Sequence, residues 1–260
     1  MISLTQVVET FDPSAAFAVP PNWLQGRTVY GGLSAALAVQ AFLKVAPPEL
    51  PALRSGHVSF IGPATEALSF QPRLLRQGKS VVSASVDVFS GDELSLRVAL
   101  VFARPRASRV AHDFSKRPPV KGPDAYAALT AEDKRIAPAS AHNFEMRMAG
   151  GSLPVSGAAN PELLFWVRHL DARGVDPTVA LVALADGLPP AAFTSFTEPA
   201  PISSMTWTFD LLQAAPQGEW FLLRAFSQCA GDGYSIQDME IWDEGGRPVL
   251  WGRQMVAIFA

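Results

Sequence analysis

The chain has 260 residues, 48% hydrophobic and 17% charged, with a formal net charge of −3 at pH 7. This composition fits one large folded domain or two of ordinary size, excludes a disordered chain and carries no polyanion-binding signature. A single cysteine, Cys229, excludes an intrachain disulfide and a cysteine-rich metal site. With no secretory signal and no apolar run of bilayer length, a cytoplasmic protein is expected, with neither membrane nor nucleic acid as partner. The locally basic stretches 104–109 and 116–121 are broken by Pro and read as solvated linker.

After Asp12-Pro13, residues 31–45 are rich in Ala, Leu and Val, with no Pro and no Gly beyond Gly32. They predict a helix that is apolar on all sides and therefore buried. Pro47-Pro48 ends it, and alternating runs at 56–62, 68–76, 81–89 and 94–103 predict strands separated by Gly, Pro or charged turns. Residues 105–161 lose periodicity and read as a long connector with one short helix near 124–133.

The order then restarts. Residues 177–186 predict a second Ala/Leu/Val helix, stopped by Gly187 and Pro189-Pro190, and strands follow at 202–211, 220–229, 235–242 and 249–260. Segments 86–103 and 239–260 each read as strand, polar Gly-containing turn and strand, so the chain ends its two halves alike. A buried helix followed by an antiparallel meander, twice, implies a duplicated α+β module. Each sheet would wrap around its helix, and joining the two sheets at their edges would remove an exposed edge from each. The expected units are 1–104, the connector 105–161, and 162–260. Within the last strand Gln254 is polar among apolar neighbours, while Arg97 holds the corresponding place in the first half.

Several chemistries lack their motifs. There is no Gly-x-Ser-x-Gly elbow, no phosphate-binding Gly-x-x-x-x-Gly-Lys-Ser/Thr loop and no His-Glu-x-x-His pair, and His57, His112, His142 and His169 are dispersed. Gly31-Gly32 at a helix start admits two readings: backbone N–H groups that approach a carbonyl oxygen as it gains charge, or a tight turn needing positive φ. His57, as an imidazole, suits an acid, base or donor role, or else bonds structurally to a neighbour. Cys229 has no His, Lys or Arg at a telling spacing and reads as a small packed hydrophobe. Trp166, Trp207, Trp220, Trp242 and Trp251 are assigned to core packing and the seam between modules.

Tyr30-Gly31-Gly32, Phe60-Ile61-Gly62-Pro63 and Arg76-Gln77-Gly78-Lys79-Ser80-Val81, in this order around a helix and strands, resemble the acyl-CoA thioesterase II family. The resemblance implies a double hot-dog fold: two antiparallel sheets, each wrapped around a central helix, joined side by side. It implies hydrolysis of an acyl-CoA to free acid and CoA by water, without metal or redox cofactor, and further homodimerisation. The family holds its water in the second hot dog with an Asp, a Thr or Ser, and a Gln. Gln254 falls on the glutamine, Ser204 falls where the Asp is expected, and Gln228, or Ser227 with a one-residue shift, falls on the Thr/Ser. His57 falls near a family histidine, and the amides near Gly32 would bind the developing oxyanion.

Ser204 is the departure that matters, because a serine hydroxyl is too weak a base to replace a carboxylate. Asp210, which has the same strand parity as Ser204, or Asp186 would have to supply one. Without it the resemblance implies a hot-dog protein that binds acyl-CoA and hydrolyses it little. Hydratase chemistry on the same fold calls for an acid or His at the helix, and 31–45 contains neither.

Overall fold

The computed structural model describes residues 1–259 apart from Glu66 and Ile136; Ala260, the last residue of the final expected strand, and Ile136 of the expected connector lie outside the described residues. Helix α1 (Leu4–Thr10) is held at its start by a reciprocal Ser3–Gln6 capping box. Short strands β1 (Phe17–Ala18), β2 (Leu24–Gln25) and β3 (Thr28–Val29) lead into α2 (Gly31–Val45). Strands β4 (Leu53–Phe60), β5 (Ala67–Gln77), β6 (Val81–Ser90) and β7 (Glu93–Ala103) complete the first half. The second half contains β8 (Phe144–Gly151), β9 (Glu162–His169), α3 (Pro177–Ala185), β10 (Ile202–Leu211), β11 (Phe221–Gly231), β12 (Tyr234–Asp243) and β13 (Pro248–Ile258).

The second expected helix forms because Asp176 accepts from the Thr178 and Val179 N–H groups, and Pro177 occupies the first helical position where no N–H is needed. Every residue of α2 from Gly32 through Val39 is buried. More than two turns without a solvent face explains why its sequence shows no polar stripe. Helices α2 and α3 pack on each other, α2 also against β5, β6 and β7, and α3 against β9.

The two expected sheets are one. A single 11-stranded antiparallel sheet runs β1-β5-β6-β7-β4-β10-β13-β12-β11-β9-β8, and the halves meet where β4 pairs with β10. The sheets expected side by side join at their edges as β4 pairs with β10, and this continuous backbone pairing satisfies both inner edges. The connector is corrected. It holds strand β8, which pairs with β9, and in place of the helix near 124–133 only a one-turn 3-10 helix forms at Pro123–Ala125. Among the described residues no helix is long and apolar enough to cross a membrane.

Core packing accounts for four of the five tryptophans, Trp166, Trp207, Trp220 and Trp242, which are buried in two separate clusters. Trp166, Trp220 and Trp242 form a separate apolar cluster with Leu164 and Leu222, flanked by Trp251 and covered by Val120 and Tyr126 of the connector. The Trp166 indole N–H donates to the Lys121 carbonyl at 2.9 Å. Trp207 alone of the five is in the main core, its ring 4.7 Å from that of Phe209 on β10 and tilted 46° to it.

At the seam, His57 pairs with Thr208 in the middle of the β4–β10 register. A local twofold through that pair carries Trp207 onto Gly56 and so carries Gln254, partner of Trp207, onto Leu100, partner of Gly56. Arg97 is not the counterpart of Gln254: it is exposed and paired with Asp87 on the outer face. The two halves repeat the fold, but only the second places a glutamine at this inward position.

A β-carbon at Gly56 would stand 2.2 Å from the Phe209 ring, its cross-strand partner. Gly56→Ala is therefore expected to lower stability by about 1–3 kcal/mol, the usual cost of overpacking. Urea unfolding checks this; an unchanged midpoint would mean that Phe209 does not depend on that space.

Candidate active site

The N-terminus of α2 and the C-terminus of α3 meet at one end of the helix pair. A β-carbon at Gly32 would lie 2.8 Å from the Ala183 carbonyl oxygen and 2.6 Å from the Tyr30 ring, and one at Gly31 would lie 2.8 Å from Asp186 Oδ2. Neither glycine has positive φ. Their requirement is close approach of backbone to α3, which replaces the tight-turn reading. The Tyr30 hydroxyl, buried, donates to the Ala183 carbonyl at 2.9 Å and fastens the two helix ends together. Burial, and secondarily the charge of Asp186, hold that hydroxyl well above its ordinary pKa.

Asp186 follows the last residue of α3, and Gly187, Leu188, Pro189 and Pro190 then carry the chain away. Its Oδ1 accepts from Gln254 Nε2 at 2.7 Å, and its carboxylate also accepts the Gly32 N–H. Gln254 is only 2% exposed, which rules out the solvent-facing role its strand position also permitted. Behind it, Gln237 Nε2 donates to Gln254 Oε1 at 2.6 Å, and the Ala191 N–H donates to Gln237 Oε1 at 2.6 Å.

The two hydrogen bonds to Asp186 favour its charged form, as does the positive end of α2, but desolvation outweighs them. The negative end of α3 acts in the same direction as burial. The Asp186 pKa is pushed up to about 7. A carboxylate so tuned takes a proton from water at neutral pH more readily than an ordinary aspartate would.

Asp186 lines a cleft of about 440 Å³ together with Gly31, Ser34, Phe60, Leu96, Leu188, Ile202 and Ser204. Gly31, Gly32, Gln254 and Ser204 are thus brought to one place, with Gly32 turned to Asp186. Ser204 reaches it through a β-bulge between Ser204 and Thr206. Beyond the bulge Trp207, Phe209 and Leu211 face inward, so the parity that linked Ser204 to Asp210 is broken and Asp210 lies exposed on the outer face.

Other expected residues fall outside the cluster. His57 is exposed; its Nδ1 lies 2.9 Å from Thr208 Oγ1 and its Nε2 lies 3.3 Å from Ser59 Oγ, so it is a surface residue of the seam. Gln228 is the extra residue of a bulge in β11 and donates to Asp238 at 2.6 Å, away from Gln254. Ser227 shares the inner face, directly opposite Gln237, and lies 2.9 Å from Ser235 Oγ; one strand separates it from Gln254. Cys229 is exposed and is not packed as expected. Gln237 was given no role by the sequence; its signal was a polar residue at an inward position of β12.

Residues 19–122 match the acyl-CoA thioesterase N-terminal domain and residues 123–258 match the acyl-CoA thioesterase C-terminal domain. The chain belongs to the acyl-CoA thioesterase family. Among solved structures, a hot-dog-fold protein of unknown function from Alicyclobacillus acidocaldarius is 22% identical with a TM-score of 0.84, covering 96% of this chain and 97% of that one. An acyl-CoA thioesterase II, TesB2, from Mycobacterium marinum is 20% identical with a TM-score of 0.69, covering 95% and 96%. A tesB protein from Mycobacterium avium subsp. paratuberculosis is 16% identical with a TM-score of 0.77, covering 99% and 100%. These likenesses establish the hot-dog fold. A search of curated proteins returned no match.

The raised Asp186 pKa makes a stability prediction. Between the unfolded value of 3.8 and the folded value of about 7, the folded chain holds a proton that the unfolded chain has released. Folding stability from this group is therefore fully present below pH 4 and is lost as pH rises through about 7. Asp186→Asn cannot lose a proton, so its thermal midpoint relative to wild type should rise from pH 4 to pH 8 and then level off. A constant difference across that range would contradict the raised pKa.

Proposed function

We propose that this chain is a cytoplasmic acyl-CoA thioester hydrolase working without a metal, a double hot dog whose one water-activating site lies in the second half. The observation that carries the reading is the Gln254–Asp186 hydrogen bond in a cleft floored by the α2 N-terminus. The acyl-CoA thioester would enter this cleft with its carbonyl oxygen toward the N–H of Gly31, where the helix end favours developing negative charge. Of the two expected glycines, Gly32 is engaged by Asp186, which leaves the oxyanion role to Gly31.

Ionised Asp186 accepts a proton as the water oxygen attacks the carbonyl carbon. Gln254 holds the carboxylate by one amide N–H and has a second to orient the water. The tetrahedral intermediate collapses by breaking the carbon–sulfur bond, and the proton on Asp186 passes to the departing CoA thiolate, giving free acid and CoA. Ser204 stands in the cleft as a hydroxyl partner for water or substrate. Its replacement of an Asp ceases to argue for a mere acyl-CoA binder, because Asp186 supplies the carboxylate. A homodimer remains part of the proposal on family resemblance, and light scattering that finds monomer alone would reject it.

The direct test is a thiol-release assay over short, long and aromatic acyl-CoAs. Turnover is expected to rise with pH through about 7. Removing general-base catalysis by Asp186→Asn should reduce kcat by about 10²–10⁴-fold, and Gln254→Ala should reduce it at least about tenfold. Tight acyl-CoA binding with no thiol release at any chain length would instead assign the chain as a binding protein. Undiminished turnover in Asp186→Asn would remove Asp186 from the reaction.

A further inference from the structure

We propose that Gln237 is a positioning residue that fixes which end of the Gln254 amide faces Asp186. This rests on the reading of Asp186 and Gln254 as the water-activating pair, and extends it to a side chain with no place in the reaction itself.

A glutamine amide has an acceptor end and a donor end of nearly the same shape, so its direction must be imposed by a partner. Here the direction originates in a group that cannot reverse: the backbone N–H of Ala191 can only donate. It donates to Gln237 Oε1 at 2.6 Å, which turns Gln237 Nε2 toward Gln254 Oε1 at 2.6 Å. That in turn leaves Gln254 Nε2 facing Asp186 Oδ1 at 2.7 Å. Gln237 is 1% exposed, and the Gln254–Gln237 pair is directly opposed across β13 and β12. Ala191 opens a 3-10 turn (Ala191–Ser195) clamped from outside, since the Val155 N–H bonds to the Phe193 carbonyl and the Ala158 N–H to the Thr194 carbonyl.

Reversing one amide would reverse the other and present Gln254 Oε1 to Asp186. Only a protonated carboxyl can satisfy that oxygen, so the reversed arrangement favours the acid form over the base. Tyr30, the residue that caps the start of α2, is the titratable side chain that interacts with Asp186 from the neighbouring helix end. The charged groups of the adjoining strands, His57, Asp210, Arg224, Asp238, Glu240 and Arg253, occupy the outer face, where Arg224 pairs with Glu240 and Arg253 with Asp238. Glu198, on the loop after Ala191, is exposed. The amide relay is thus the polar connection from the sheet interior to Asp186.

Two variants test it. Gln237→Met removes the relay without adding charge. Gln237→Glu keeps an acceptor for Ala191 and offers Gln254 a second oxygen, so it holds the loop while forcing the amide to turn. The carboxyl 13C titration of Asp186 should move upward by about one unit in both, a tenfold change in proton affinity. Hydrolysis in either variant should fall about fivefold at pH 7 and recover to within about threefold by pH 9, whereas a merely structural loss would persist at every pH. An Asp186 titration unmoved in the folded variants would overturn the proposal. Because that titration needs no turnover, it also stands apart from failure of the thioesterase reading, which would show as absent thiol release in the wild-type chain.

Discussion

The meeting of two helix ends is the constraint on which the rest of this structure depends. The start of α2 and the finish of α3 can touch only because Gly31 and Gly32 carry no side chains, and the Tyr30–Ala183 hydrogen bond locks the contact. The approach places a positive helix end and a negative helix end around one carboxylate, Asp186. Burial raises its pKa toward neutrality while two donors keep the ionised form accessible. The environment of Asp186 and the helix packing are consequently the same piece of geometry.

The continuous sheet supplies the second half of that geometry. Pairing β4 with β10 brings the cleft-lining Phe60 of the first half beside Ser204 and Asp186 of the second. The two halves repeat the scaffold, and their inward positions differ in which copy carries the buried glutamine. Where the second half has Gln254 pointing at a helix end, the first half has Leu100 packed in the core. An apolar residue there stabilises the module by about 1.5–3 kcal/mol when fully buried. A glutamine forgoes that gain and must be matched bond for bond, as Gln237 and Asp186 match it.

The outer face carries a different burden. The Trp166–Trp220–Trp242 cluster lies under the connector, so the long polar-looking segment between halves is a cover for apolar sheet surface. Arg147 and Arg168 sit over the Trp220 ring, their centres 4.7 and 4.9 Å from its centroid, and both bond to Glu145 on β8. Such contacts tie β8 to the rest of the sheet, while the loop that follows it closes over the 3-10 turn that anchors Gln237.

The amino-acid sequence by itself determined the two central helices with the four strands that follow each, the burial of both helices and the identities of Gly31, Gly32 and Gln254 as special positions. Those properties follow from local composition: Ala/Leu/Val runs without a polar face, glycines at a helix start, and one amide in an apolar strand. Tertiary structure alone decided the carboxylate. Asp186 reads locally as part of a helix stop, and Asp210 seemed to share a face with Ser204 until a bulge shifted the phase of β10. Gln237 was hidden because Ile236 and Gln237 invert the usual rule, the glutamine lying inward and the isoleucine less buried. Periodicity records how each strand alternates, but it does not record which distant donor a buried polar side chain will meet. That depends on the pairing of strands and helix ends far apart in the chain.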